Sequence, residues 1–331
     1  MIALGTLTLP HGLLLAPMAG YTDYGLRRVC HEAGAELTVT EMISAKATVF
    51  GDKKTHALAR IREDEGPCVL QLFGAEADDL ARAAEILSQG VEGGVPPVAI
   101  DINMGCPVHK IFSNGEGCAL MRDPSHIERL VRAVCAATEL PVTVKLRAGI
   151  DSATRNAVDC ALAAEAGGAA AITVHGRTRQ QMYSGKADRE IIKNVKNSLH
   201  IPVIANGDIV SGESALATLA DTGADGLAIG RGAVGAPFVF SEILCALRGE
   251  RYTPPSVEER TAWALRQLSL TVLDKGEALA VRECRKQLAS YLSGLRGAAA
   301  LRARIHTAST VRDVEDAFAA ACAEATQRKA E

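Results

Sequence analysis

Residues 98–138 read VAIDINMGCPVHKIFSNGEGCALMRDPSHIERLVRAVCAAT, an apolar run, a loop and an amphipathic segment in that order. The opening VAIDINMG (98–105) is short and rich in β-branched residues, as a buried strand requires. The closing DPSHIERLVRAVCAAT (123–138) predicts a helix. Asp123 can cap it, Pro124 suits its first turn, and Ile127, Leu130, Val131, Val134 and Cys135 fall on one face. Between the two lies a loop holding Cys106, Pro107, Gly115 and Gly117, far longer than the roughly 2–6 residues usual for such a connection.

The same alternation extends in both directions from this stretch. GLLLAP (12–17), ELTVTE (36–41), CVLQLFG (68–74), VTVKLRAG (142–149), AITVHGR (171–177), PVIANGD (202–208) and GLAIGRG (226–232) make eight runs in all, with helix-like segments between them. Continuous apolar runs are the mark of parallel strands covered on both faces. Eight strand–helix units predict a TIM (β/α)8 barrel over residues 1–248. Successive runs begin 24 to 32 residues apart, except that 44 residues separate VAIDINMG from its successor. The excess falls in the loop after the fourth strand. In such barrels these loops form the active face, so an enlarged one there points to function.

A competing architecture comes from GRGAVG (230–235), which satisfies GxGxxG directly after a run. A dinucleotide fingerprint belongs after the first strand of a sheet, whereas this one follows the eighth, and the first run ends in APMAG. In a barrel the loops after strands seven and eight commonly bind a phosphate through backbone N–H groups. NGD (206–208) and GRG (230–232) stand at those two loops, with Arg231 offering a guanidinium. A phosphorylated cofactor or substrate is expected.

Beyond RGERYTPPS (248–256) the strand pattern stops. Pro254 and Pro255 mark a linker, 249–256, and a small all-α C-terminal domain is expected over 257–331. Ser256 with Glu259 forms a capping box for its first helix, and Thr310 with Asp313 opens its last. The net charge of −3 argues against a polyanionic partner, but the charge is uneven. Within 282–312, Arg282, Arg285, Lys286, Arg296, Arg302, Arg304 and Arg312 face the single carboxylate of Glu283. That block is a candidate contact for a polyanion, weighed against a solvated helical face.

The nine scattered cysteines contain no CxxC pair, so neither a disulfide framework nor a zinc ribbon is suggested. No metal is expected, since no carboxylate cluster or histidine pair has ligand spacing. MIALGTLTLPHG lacks the features of a signal peptide, and no segment approaches the roughly 18 apolar residues of a spanning helix. A cytoplasmic protein without membrane contact is expected. Oligomeric state is left open, with a monomer the simplest reading.

The strand ends carry polar side chains aimed at the barrel mouth: Gln71, Asn103, Cys106, Lys145, His175, Asn206 and Arg231. Each has a bland explanation alone, as a filler or a small hydrophobe, and their joint placement is what points to a site.

APMAGYTD (16–23), TEMISAKA (40–47), LQLFG (70–74), DINMGCPVHKI (101–111), VTVKLRAGID (142–151), TVHGRTRQQMYSGKAD (173–188), IPVIANGDI (201–209) and TGADGLAIGRGAVGAPFVFSEI (222–243) closely resemble the tRNA-dihydrouridine synthases, in particular their bacterial B-type members. The likeness continues more loosely through CRKQLASYLSGLRGAAALRARI (284–305). It implies an FMN-dependent oxidoreductase, re-reduced by NADPH, that saturates the C5–C6 bond of uridines in tRNA. Ala16, Pro17 and Met18 match the segment beneath the flavin, Gln71, Lys145 and His175 its polar edge, and Asn206, Gly207, Asp208, Gly230 and Arg231 its ribityl and phosphate cradle. Cys106 resembles the general acid that protonates C5, with Cys118 in the same loop as a rival. A thiol near its usual pKa of ~8.5 is mostly protonated at neutral pH, as a donor should be. Asn103 and Tyr183 match contacts to the target uracil. Arg177 and Arg179, with Arg285 and Lys286 of the basic block, are candidates for holding RNA. The long loop is then expected to act as a lid over the base, with Gly115 and Gly117 as its flexible points. Two alternatives remain open at this stage: a flavoenzyme for a free pyrimidine such as dihydroorotate, and a tRNA-binding chaperone without catalysis.

Overall fold

The computed structural model describes residues 1–330, so that residue 331, the last of the expected helical domain, lies outside the described residues. It opens with a hairpin, β1 (Ile2–Leu4) and β2 (Leu7–Leu9), turned at Gly5. Eight strands follow: β3 (Leu13–Leu15), β4 (Thr38–Ser44), β5 (Cys68–Phe73), β6 (Ala99–Met104), β7 (Val142–Arg147), β8 (Ala171–His175), β9 (Val203–Asn206) and β10 (Gly226–Ile229). They pair in parallel in the order β3-β10-β9-β8-β7-β6-β5-β4. A parallel bridge between Leu14 and Leu37 closes the ring. All eight apolar runs are therefore barrel strands.

Alternation along each strand sorts the side chains. Leu70, Leu72, Ile100, Ile102, Val144 and Leu146 point outward to the helices, whereas Leu14, Val69, Ala99, Ala171, Ile204 and Ala228 fill the barrel's interior. Ile2, Leu4 and Leu9 of the hairpin join that inner cluster and plug the N-terminal end. The hairpin was not anticipated from the sequence, although IALGTLTL alternates about a glycine. With the bottom plugged, the cleft among the described residues opens at the C-terminal mouth.

The helix Pro124–Ala137 begins as expected: the Asp123 side chain accepts from His126 N, and Ile127, Leu130, Val131 and Val134 are buried. Cys135 sits at the margin of that face and is half-buried. After the helix Val239–Arg248 the chain runs without regular structure to Ser256. Four helices then form a second apolar cluster: Val257–Lys275, Glu277–Tyr291, Ala298–Thr307 and Val311–Ala330. Ser256 and Glu259 cap each other, as do Thr310 and Asp313. The tail does not hang free. Lys275 pairs with Asp23 at 3.1 Å, Asp274 with Arg60 at 2.6 Å, and Gln287 donates to the carbonyl of Tyr21 at 3.2 Å. No helix is long and apolar enough to cross a membrane among the described residues.

Candidate active site

Strand register builds the site. Gln71 lies beside Asp101, Asn103 beside Lys145, Arg147 beside His175, and His175 beside Asn206, so inward residues near the strand ends form a polar belt. Above it opens a cleft of about 750 Å³, within the size range of cofactor sites. Its lining contains Ala16, Pro17, Met18, Gln71, Asn103, Cys106, Lys145, His175, Tyr183, Asn206, Gly207, Asp208, Gly230 and Arg231. Arg177, Arg179, Arg285 and Lys286 are not part of it.

One wall is a chain of hydrogen bonds. Thr143 Oγ1 donates to Asp101 at 2.6 Å, Gln71 Nε2 donates to the other Asp101 oxygen at 2.7 Å, and Asn103 Nδ2 donates to Gln71 Oε1 at 2.8 Å. Asn103 Oδ1 then accepts from the backbone N–H of Cys106 at 2.9 Å. Each acceptor dictates how the next amide faces, so Asp101 orients Gln71, Gln71 orients Asn103, and Asn103 fixes the cysteine's backbone. Asp101, within DINMGCPVHKI, is a site residue that sequence reasoning missed. Its signal was a carboxylate at an inward position two residues before Asn103.

Cys106 is 9 % exposed, and burial pushes its thiol pKa up against the opposing pull of Arg147 and Lys145. Cys118 is fully buried, bonded to the Gly149 carbonyl, and raised to about 12 by burial. Only Cys106 reaches the cleft. The loop between them is compact rather than open: it forms a short helix, His109–Ser113, and a 3-10 segment, Gly117–Arg122, with Cys118 N bonded to the carbonyl of Cys106 at 3.2 Å.

Arg147 is a second residue that was not singled out. Its buried guanidinium donates to the carbonyls of Gly105 (2.8 Å), Thr178 (2.9 Å) and Met182 (3.0 Å), tying the cysteine loop to the loop after β8. Lys145 donates to Asn206 Oδ1 at 3.3 Å, and burial, with Arg147 adding to it, lowers its pKa to about 8. Burial and the cations Lys145, Arg147, Arg177 and Arg231 hold His175 far below the usual imidazole range, so it stands neutral.

On the opposite side, Gly207 has φ +126°, and a Cβ there would lie 2.5 Å from that of Ala187; one at Gly232 would lie 2.4 Å from the Ile209 carbonyl oxygen. The missing side chains let the loop after β9 pack against the loop after β8 on one side and the loop after β10 on the other. The backbone N–H groups of Asp208, Arg231 and Gly232 find no acceptor among the described residues. Asp208 is partly buried, yet the Ala187 amide and Arg177 keep its carboxyl below the usual range. Arg177 is turned inward, 2 % exposed, donating to the carbonyls of Ser184 and Gly185 and to Asp208. It positions Asp208 and offers no face to RNA, contrary to the expectation from sequence. Arg179 stacks on Phe112 at 3.7 Å, and Tyr183 lies between Arg147 and Arg231. Arg285 is spent on the Ala308 carbonyl, whereas Lys286 is exposed.

The family model for dihydrouridine synthases matches residues 14–331. The chain belongs to the dihydrouridine synthase family. It is 40% identical to tRNA-dihydrouridine synthase B of Pseudomonas putida over 307 residues, covering 92% of this chain and 89% of that protein. It is 39% identical to a probable tRNA-dihydrouridine synthase of Rickettsia conorii, covering 92% of each. Among solved structures, a morphinone reductase mutant in complex with tetrahydroNAD superposes with a TM-score of 0.51 over 77% of this chain and 92% of that one, at 15% identity, a likeness of fold. As a dihydrouridine synthase the chain is an oxidoreductase.

Proposed function

We propose that this dihydrouridine synthase reduces uridines of tRNA to 5,6-dihydrouridine in the cytoplasm, with FMN in the cleft, NADPH as reductant and Cys106 as proton donor. The fit to FMN rests on the chain's own groups. The flat apolar floor of Ala16, Pro17 and Met18 suits a ring system, the second N–H of Gln71 Nε2 and the Lys145 ammonium suit its polar edge, and the unpartnered amides of Asp208, Arg231 and Gly232 beside the Arg231 guanidinium suit a phosphate. When bound, FMN supplies the hydride for C6 of the uracil ring.

Negative charge left on C5 and the C4 carbonyl then requires a proton, and the Cys106 thiol is the donor the cleft offers. It reaches the cleft, burial keeps it protonated, and Asn103 holds its backbone. That placement, with Cys118 sealed away, is the observation that carries the reading. Neutral His175 and cationic Lys145 are fixed donors for ring carbonyls and cofactor. A uridine inside folded tRNA must be extruded to reach the cleft, at a cost of a few kcal/mol. The tail's exposed cations Arg282, Lys286, Arg296, Arg304 and Arg312 are placed to offset that cost by neutralising phosphates.

The purified protein should be yellow and bleach with NADPH. Cys106→Ala should keep the flavin and lose about 10²-fold or more of the dihydrouridine formed on unmodified tRNA, read by mass spectrometry. A protein that cannot be loaded with FMN, or a Cys106→Ala variant of full activity, sinks the reading. Activity on dihydroorotate with none on tRNA favours a free-pyrimidine enzyme instead.

A further inference from the structure

The segment after β4 carries a feature that the site above does not use. Phe50 closes the short helix Ala45–Val49 and is 77 % exposed, beside the partly exposed Val49. Lys46, Lys53 and Lys54 around it are all exposed, and the one carboxylate of the segment, Asp52, is turned to the backbone N–H groups of Lys54 and Thr55 as a helix cap. A solvated helical face would carry the cations without the ring, and a packed ring would be covered.

The place of this patch gives it meaning. β4 contributes Met42 to the cleft, and Lys46 follows four residues later. Lys46 is close enough to Glu116, in the Cys106 loop, to influence its ionisation, and Ala45 meets Gly74 at the end of β5. The patch therefore stands on the barrel mouth, beside the cysteine loop. On its other side Arg60, just beyond the helix Lys53–Leu58, is tied to Asp274 of the tail.

We infer that Phe50, with Lys46, Lys53 and Lys54, is a second RNA contact: the ring stacks on an unpaired base near the extruded uridine, and the lysines hold the flanking phosphates. This rests on the reading of the chain as a tRNA uridine reductase. An exposed aromatic among cations suits a single-stranded segment, because every base presents a π-face and every nucleotide a phosphate. A loop that has given up one base to the cleft has such bases to offer.

The test measures tRNA affinity by filter binding and kcat and KM for dihydrouridine formation. Phe50→Ala should weaken affinity and raise KM at least about fivefold, with kcat and thermal stability unchanged. Phe50→Trp should restore binding, whereas Phe50→Leu, equally apolar but without a π-face, should not. Lys53→Glu with Lys54→Glu should weaken binding and flatten its salt dependence. Unchanged affinity in Phe50→Ala, or rescue by leucine equal to that by tryptophan, overturns the inference. Loss of binding to anionic vesicles with tRNA affinity intact also overturns it and gives the patch to a membrane surface. A wild type that binds tRNA but forms no dihydrouridine sinks the parent reading alone, because filter binding still reads the patch.

Discussion

Cys106 and Cys118 lie in one loop, and burial separates their chemistry. Cys118→Ser should leave tRNA reduction intact while costing about 1–3 kcal/mol of stability, since a hydroxyl is placed where only weak partners exist; denaturant unfolding reads this. Asp101 acts on Cys106 through three successive hydrogen bonds, by way of Gln71 and Asn103. Asp101→Leu leaves Gln71 Nε2 without its acceptor and should lower kcat about tenfold or more, whereas Asp101→Asn, whose amide oxygen still accepts, should keep most of it. Lys145 gives a pH signature. Burial lowers its pKa to about 8, while the unfolded chain holds the proton to about 10.5. Between those values the unfolded state binds more protons, so stability rises with pH, and below 8 the cost is present in full. Lys145→Met in the flavin-free protein should therefore melt higher than wild type at pH 7, with the gap closing as pH climbs from about 8 toward 10.5.

At the scale of elements, the loop after β6 decides where the thiol points. Gly117 has φ +60°, and a Cβ there would lie 2.9 Å from Cys106 Cβ and 3.1 Å from its carbonyl oxygen. Gly117→Ala should cost about 1–2 kcal/mol from the left-handed backbone alone. It should also reduce kcat more than KM, because the clash falls on the donor. The loop's length was legible in the sequence, and its glycines and cysteine were noticed. Its compactness was not, since the 3-10 segment is held by contacts with β6, β7 and the helix Pro124–Ala137, and the short helix rests on the 3-10 segment. Of the expected lid, Gly117–Met121 are buried as a wall, whereas residues 107–116 stand half-buried or exposed over the cysteine.

For the whole molecule, the junction of barrel and tail matters most. Tyr291 OH donates to Gln267 Oε1, Gln267 Nε2 to Gln287 Oε1, and Gln287 Nε2 to the carbonyl of Tyr21, which lines the cleft. Gln287→Ala strands buried partners at both ends and should cost about 1–3 kcal/mol, seen as an earlier denaturant midpoint without a change in cooperativity. Ser290 of the same helix reaches the cleft wall, so tail and barrel build the mouth together.

Eight apolar runs at regular spacing, a long fourth loop and glycines after the last two strands were enough to determine the barrel and its active end, because parallel strands buried on both faces leave an unbroken local pattern. Capping residues likewise located the helices at 124, 257 and 311. Tertiary structure alone decided that the N-terminal hairpin plugs the barrel, that Arg177 turns inward, and that Asp101 and Arg147 organise the cysteine. Those outcomes depend on which side chains meet across strands 30 or more residues apart in sequence, as with Gln71 and Asp101, and no local pattern records such a meeting.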